Sequence, residues 1–344
     1  MEKSTKNNIR DKCFGDHSED EWSSHDSSDG DVIEHSDPGM YVGPFAIVDP
    51  IDTCLGPIGK FNLDEDVLPR HAAIGAFGKR RTGKTFWGRW LFYKRLRKIP
   101  FGVVFTNTTI NGFWQKYVPR RYVFQGLPKF QMDRLIARQK RLIAQWKKDH
   151  PEETAKNPDA YKEAPELAAF CIFDDVIADR VAMQWSEDIA TFFVEGRHLC
   201  VTVFITTQHV KGIGPMLRKN LDIANIQPMF EREARTYLAD QYGGFIDRNL
   251  FLKFMSEVVK DENLPGSTPQ DPKKYVRTLV INDFENTTDP QIKFHYGESE
   301  NPDDIEPKWR LCDDVYWKLQ EEEPEFRPKG EPLDVVDYLD SVCE

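Results

Sequence analysis

The sequence predicts an α/β domain with a mainly parallel central sheet flanked by helices on both faces. Three observations predict it. Short apolar runs recur between about residues 46 and 300, and stretches with helical spacing separate them. The runs are continuously apolar rather than alternating, which marks strands buried on both faces. Strands that alternate with helices are the pattern of a layered sheet, and no internal repeat interrupts it.

The elements follow in order. AAIGAF at 72–77 is the first strand, and a helix is expected over 84–98. FGVVFT at 101–106 and RYVFQ at 121–125 come next, then a helix over 129–148. Later strands are expected at 168–173 (AAFCIF), 201–205 (VTVFI), 223–230 (IANIQPMF), 275–281 (YVRTLVI) and 292–296 (IKFHY). In the helix 129–148, Met132, Leu135, Ile136, Leu142, Ile143 and Trp146 share one face. Arg134, Arg138, Arg141 and Lys148 run down the other at steps of three and four. That second face reads equally as a solvated surface or as a nucleic-acid contact through Arg134, Arg138 and Arg141. The stretch DHPEETAKNPDAYKEAPE after it is a polar, proline-punctuated surface connection.

Charge divides the chain. The net charge is −11, yet residues 79–148 hold nineteen Lys and Arg against a single acid, Asp133. Residues 11–40 hold ten acids and one base, and residues 301–344 fourteen acids and five bases. Charge acts locally, so the acidic average does not exclude a polyanionic partner for the basic segment. Residues 1–45 carry too few apolar side chains to offset ordering entropy and read as a disordered acidic tail. His17, His25 and His35 lie there among carboxylates at a spacing that fits no rigid ligand set. The expected organisation is this tail, a domain over 46–300 and an acidic C-terminal extension over 301–344.

Forty per cent of the residues are hydrophobic, enough for a real core. No apolar run approaches the roughly 18 residues of a membrane span. The polar, acidic N-terminus does not resemble a secretory signal. The six cysteines include no CxxC pair, which argues against a zinc ribbon or disulfide framework and for an intracellular, reducing setting.

GKRRTGKT, Gly78 to Thr85, matches GxxxxGK[ST] between a strand and a helix. Gly78, Lys79, Arg80, Arg81, Thr82 and Gly83 form a loop whose backbone N–H groups can turn inward on phosphates, and the following helix adds the positive end of its dipole. Lys84 would reach the β- and γ-phosphates of ATP, and Thr85 would ligate Mg²⁺. AAFCIFDDV ends a strand in Asp174 and Asp175. Asp174 would hold Mg²⁺ through its water shell, and Asp175 would polarise the attacking water. VTVFITTQ ends another strand in Thr207 and Gln208, where Gln208 can contact the γ-phosphate or its water. Arg197, in VEGRHLC, is a candidate to stabilise transition-state charge on a neighbour's nucleotide, and Arg218, in GPMLRKNLD, is a second candidate.

Taken together, GKRRTGKT, FCIFDDV, EGRHLCVTVFITTQHVKGIGPMLRKNLD and REARTYLADQYGG resemble one family. It is the genome-packaging ATPases of nucleocytoplasmic large DNA viruses, within the FtsK–HerA superfamily of P-loop motors, and the resemblance covers residues 70–245. It implies a P-loop NTPase core of the RecA-like (ASCE) kind. It also implies ATP hydrolysis coupled to translocation of double-stranded viral DNA into a preformed capsid. The implied assembly is a homo-oligomeric ring with capsid or portal-like viral partners, in the host cytoplasm, the viral factory or the virion. The family's Walker A lysine and threonine fall on Lys84 and Thr85, its Walker B acids on Asp174 and Asp175, its sensor glutamine on Gln208 and its trans-acting arginine on Arg197. Aspartate at 175 departs from the usual glutamate, and the long acidic tails are not required by the core pattern. A HerA-type helicase or plasmid-transfer ATPase would use the same residues. A nucleoside or small-molecule kinase would need an arginine-bearing lid that no segment plainly supplies. Asp174 and Asp175 weigh against a further alternative, a non-hydrolysing ATP-binding protein.

Overall fold

The computed structural model describes residues 49–63, 68–108, 112–176, 187–208, 213–263 and 274–322. The tail 1–45 with its three histidines and the end of the acidic extension, 323–344, lie outside the described residues.

The described chain opens with a hairpin, β1 (Ile51–Thr53) and β2 (Gly56–Ile58). β3 (Ala73–Phe77) follows and leads into α1 (Lys84–Leu91), which a π-helical stretch, Phe92–Leu96, prolongs. Then come β4 (Phe101–Thr106), β5 (Val123–Gln125), α2 (Lys129–Asp149) and α3 (Pro151–Lys156). Next are β6 (Ala169–Asp174), α4 (Glu187–Glu195), β7 (Val201–Thr207), α5 (Pro215–Lys219) and β8 (Ile223–Ile226). The chain continues through α6 (Arg232–Tyr242), α7 (Arg248–Val258), β9 (Lys260–Asn263) and β10 (Lys274–Asn282). It ends with α8 (Pro290–Lys293), β11 (Phe294–Gly297), α9 (Pro302–Ile305) and α10 (Asp314–Glu322).

Nine strands form one sheet in the order β11-β10-β8-β3-β7-β6-β4-β5, with β9 paired to β10. The run from β8 to β5 is parallel, whereas β9, β10 and β11 pair antiparallel. The expected α/β architecture is therefore observed, and the eight expected strands correspond to β3–β8, β10 and β11. Two are shorter than expected by two residues or more. A 3₁₀ turn, Arg120–Tyr122, takes the first part of 121–125, and β8 stops at Ile226, just before Gln227-Pro228. Proline has no N–H to give a ladder, so the strand ends there.

Alternation along β6 and β7 sorts the core onto two faces. Phe204 and Phe170 meet Phe92 on the α1 side, with Trp87 stacked on Phe204. Phe173 points the other way, onto Phe192 and Phe193 of α4 and against Phe105. Residues 302–322, grouped by charge with the acidic extension, pack on the domain. Trp309, Leu311 and Tyr316 are buried, and the Leu311 and Asp313 N–H groups donate to Tyr117 O (2.8 Å) and Pro100 O (2.9 Å). No described helix is long and apolar enough to cross a membrane.

Candidate functional site

The loop 78–83 leaves the C-terminal end of β3, where the Gly78 N–H donates to Thr207 O at 3.1 Å and so ties the loop to the end of β7. It enters the left-handed region twice, at Arg81 (φ 64°) and Gly83 (φ 104°). Glycine takes the second value without a Cβ penalty, whereas Arg81 is held in a sparsely populated conformation of the kind that gathers at ligand sites. At Gly78 a Cβ would lie 2.5 Å from Gln227 Cβ, so this position admits only glycine. α1 begins with neither a side-chain cap nor an acid in its first turn. Its leading N–H groups and positive dipole end therefore remain directed at the loop, which is the arrangement of an anion site.

Lys84 is buried, and its Nζ donates to Gly78 O (2.6 Å) and Lys79 O (2.7 Å). Burial lowers its pKa, and the Asp175 and Asp174 carboxylates oppose that shift. Thr85 beside it is part-exposed. Arg80 and Arg81 are exposed, Thr82 Oγ1 donates to Lys79 O (2.9 Å), and Lys79 pairs with Glu231 (2.8 Å).

Asp174 ends β6 with one protein donor on each carboxylate oxygen. The Trp114 indole N–H donates to Oδ2 (2.8 Å) and the Thr206 hydroxyl to Oδ1 (2.6 Å). Burial raises the pKa of this carboxyl, and the two hydrogen bonds oppose the rise. Mg²⁺ keeps most of its waters and uses one or two protein oxygens beside substrate phosphates. The Thr85 hydroxyl fits the place of a direct protein oxygen, and Asp174, already engaged on both oxygens, fits a partner to the ion's waters. Among the described residues no group of three or more His, Cys, Asp or Glu forms an all-protein metal cage.

Asp175 sits in the left-handed region (φ 52°), which aspartate tolerates better than most residues. The turn carries its carboxylate to the end of β7, where Gln208 Nε2 donates to both oxygens at 2.7 and 2.9 Å. Its N–H donates to Thr206 Oγ1 (3.0 Å), and its carbonyl accepts from Asn107 Nδ2 (3.2 Å). Asp175 and Gln208, assigned separate roles from the sequence, thus form one hydrogen-bonded pair. β7 stands between β3, which carries the loop, and β6, which carries the acids.

Sequence reasoning missed Trp114 and Thr206. Strand parity could have found Thr206, since it shares the face of Phe204 and hence of Asp174. Trp114 has no local signal, because its partner lies 60 residues away.

Arg197 lies at the opposite, N-terminal end of β3. It follows α4, its guanidinium pairs with the buried Asp222, and its side chain is 52% exposed. The other Asp222 oxygen accepts from the Ala73 N–H (2.8 Å), the first residue of β3. With Asn220 and Phe284, these residues line a polar cavity of about 430 Å³. Five residues of β3 span about 16 Å, so Arg197 stands well away from its own chain's loop. Arg218 is buried, donates to Ile213 O and lies over the Tyr237 ring (5.1 Å), a packing role within its own chain.

The basic face of α2 needs one correction. Arg138 is not on a solvated or DNA-facing surface: it is buried over the Phe101 ring (4.1 Å), with Gln139 and Tyr316 as hydrogen-bond partners. The buried stripe runs through Met132, Leu135, Gln139, Ile143 and Trp146. Gln139 takes a core position because its amide donates to Leu167 O and Leu199 O, both at 2.8 Å. Arg134 lies over the Phe130 ring (4.5 Å), and Arg141 is part-exposed.

No protein-family model matches the chain. By sequence it is similar to the uncharacterized protein 088R of Invertebrate iridescent virus 3, 26% identical over 190 residues, which are 55% of this chain and 66% of that protein. Among solved structures it is similar to the genome packaging NTPase B204 of Sulfolobus turreted icosahedral virus 2 in complex with AMPPCP. That match is 11% identical, has a TM-score of 0.40, and covers 67% of this chain and all of the other. ATPases 2 and 3 of EssC from Geobacillus thermodenitrificans match at 14% identity and a TM-score of 0.43, over 75% of this chain and 45% of that one.

Proposed function

We propose that this chain is an ATP-hydrolysing motor of the FtsK–HerA kind that moves double-stranded DNA, in a ring of identical copies, into a viral capsid. One observation carries the reading. The glycine loop with Lys84, Asp174 and the Asp175–Gln208 pair, drawn from separate parts of the sequence, stand together at the C-terminal ends of three adjacent parallel strands, β3, β7 and β6.

The triphosphate would lie on the loop, accepting hydrogen bonds from its N–H groups and from the start of α1. Lys84 would exchange its two carbonyl partners for phosphate oxygens. Mg²⁺, when bound, supplies positive charge beside the phosphates, with Thr85 and Asp174 to hold it. Asp175 would accept a proton from the attacking water while Gln208 fixes the carboxylate and reports on the γ-phosphate. Arg197, too far from its own loop, would complete the site of an adjacent copy. Such head-to-tail contacts close into a ring when the rotation allows.

The basic segment is the proposed source of DNA affinity, with less free charge than the sequence count suggests. Arg89 pairs with Asp303 (2.7 Å) and Arg97 with Glu306 (2.6 Å), while Lys84, Arg121 and Arg138 are buried. A viral relative is consistent with a packaging task. Displacement of a triplex-forming strand from linear duplex DNA tests the reading. ATP-dependent release without unwinding of the duplex supports a translocase. Unwinding would point to a helicase of the same superfamily, and steady ATP hydrolysis with no displacement would remove the motor from the proposal.

A further inference from the structure

Residues 227–231 run from the end of β8 along the flank of the glycine loop. The Gln227 N–H donates to Phe77 O (2.8 Å), and its side chain closes on Gly78. Four residues later, the Glu231 carboxylate holds the Lys79 ammonium at 2.8 Å. Between these two ties stands Phe230, 78% exposed, the most exposed large hydrophobic side chain among the described residues. Met229 before it is buried, so the chain turns its aromatic ring outward where a neighbour is turned inward.

The sheet order gives this ring a place relative to a nucleotide. Lys84, Asp175 and Gln208 mark the γ-phosphate end on the β7 side of β3. β8 flanks β3 on the other side, with β10 beyond it. A nucleotide laid along the loop therefore leads its ribose and base over β8 and toward β10. There Val276 of β10 comes within 4.0 Å of the point where a Gly83 Cβ would stand.

We propose that Phe230 is the stacking platform for the base of the nucleotide whose phosphates lie on loop 78–83, with Val276 as adjoining apolar surface. This rests on the nucleotide-binding reading above and adds recognition of the base to it. Stacking on an aromatic side chain accepts any base through its π face, and its loss typically weakens binding by about five- to a hundredfold. The platform therefore supplies affinity for nucleotides over bare polyphosphate and no choice among bases.

The test is calorimetric titration of ATP, ADP and inorganic tripolyphosphate into the full-length wild type, Phe230→Ala, Phe230→Trp and Lys84→Ala proteins. Phe230→Ala should bind ATP and ADP at least about fivefold more weakly and tripolyphosphate as the wild type does. Phe230→Trp should keep wild-type affinity for all three, and Lys84→Ala should lose affinity for ATP and tripolyphosphate alike. Unchanged ATP affinity in Phe230→Ala overturns the proposal, as does an equal loss for tripolyphosphate. If Phe230→Ala leaves ATP affinity intact and alters the sedimentation of the assembly, the ring belongs to a contact between copies. If the wild type binds neither ATP nor tripolyphosphate, the nucleotide-site reading falls and this one with it. Binding of both that is indifferent to Phe230 removes only the platform.

Discussion

Lys84 and Arg138 are two buried cations from the same basic segment, and their surroundings give them opposite roles. Lys84 faces the mouth of a loop, where its partners are two backbone carbonyls that a phosphate can replace. Arg138 is closed in by Phe101, Gln139 and Tyr316, which belong to the fold itself. Burial alone therefore does not mark a functional cation. What distinguishes the two is whether the partners can be exchanged for a ligand.

Lys84→Ala is expected to have the largest effect, lowering ATP hydrolysis by about 10³-fold or more while thermal unfolding stays near wild type. A large loss of stability would place Lys84 in the same class as Arg138. Arg197→Ala should slow hydrolysis by about 10³-fold with ATP affinity intact. Mixed with Lys84→Ala protein, it should recover part of the activity, because some interfaces then join an intact loop to an intact arginine. Proven co-assembly with no recovery would count against Arg197. Asp175→Asn should retain nucleotide and slow hydrolysis by about 10²- to 10³-fold in single-turnover measurements, and a normal rate would move the water-orienting role elsewhere.

Smaller effects sharpen the other side of the comparison. Arg138→Gln should cost about 1–3 kcal/mol in denaturant unfolding, since Tyr316 and Gln139 lose a buried partner, and should leave the rate per folded molecule unchanged. Combined Arg134→Gln and Arg141→Gln should flatten the log–log salt dependence of duplex binding by up to about 1.8 units, at about 0.9 per phosphate contact, equally for all DNA sequences. An unchanged slope would return this face of α2 to solvent.

Where a residue's role follows from a local pattern, the sequence was legible. Continuous apolar runs located the eight strands because burial on both faces leaves that mark, and the loop was readable because Gly78 and Gly83 answer local backbone demands. The helical wheel of α2 misassigned Arg138 because its partner Tyr316 lies 178 residues on, and no periodicity carries that information. The same holds for Trp114 on Asp174. Trp309, Leu311 and Tyr316, within the acidic extension 301–344, are buried, a signal that the charges mask.

The most direct test of the central claim is phosphate release by the wild-type protein at saturating Mg²⁺ and ATP, with and without linear duplex DNA. The account predicts steady release that rises severalfold when duplex is added and is absent from Lys84→Ala protein in both conditions. No release from folded wild-type protein, or release that survives Lys84→Ala, would contradict it.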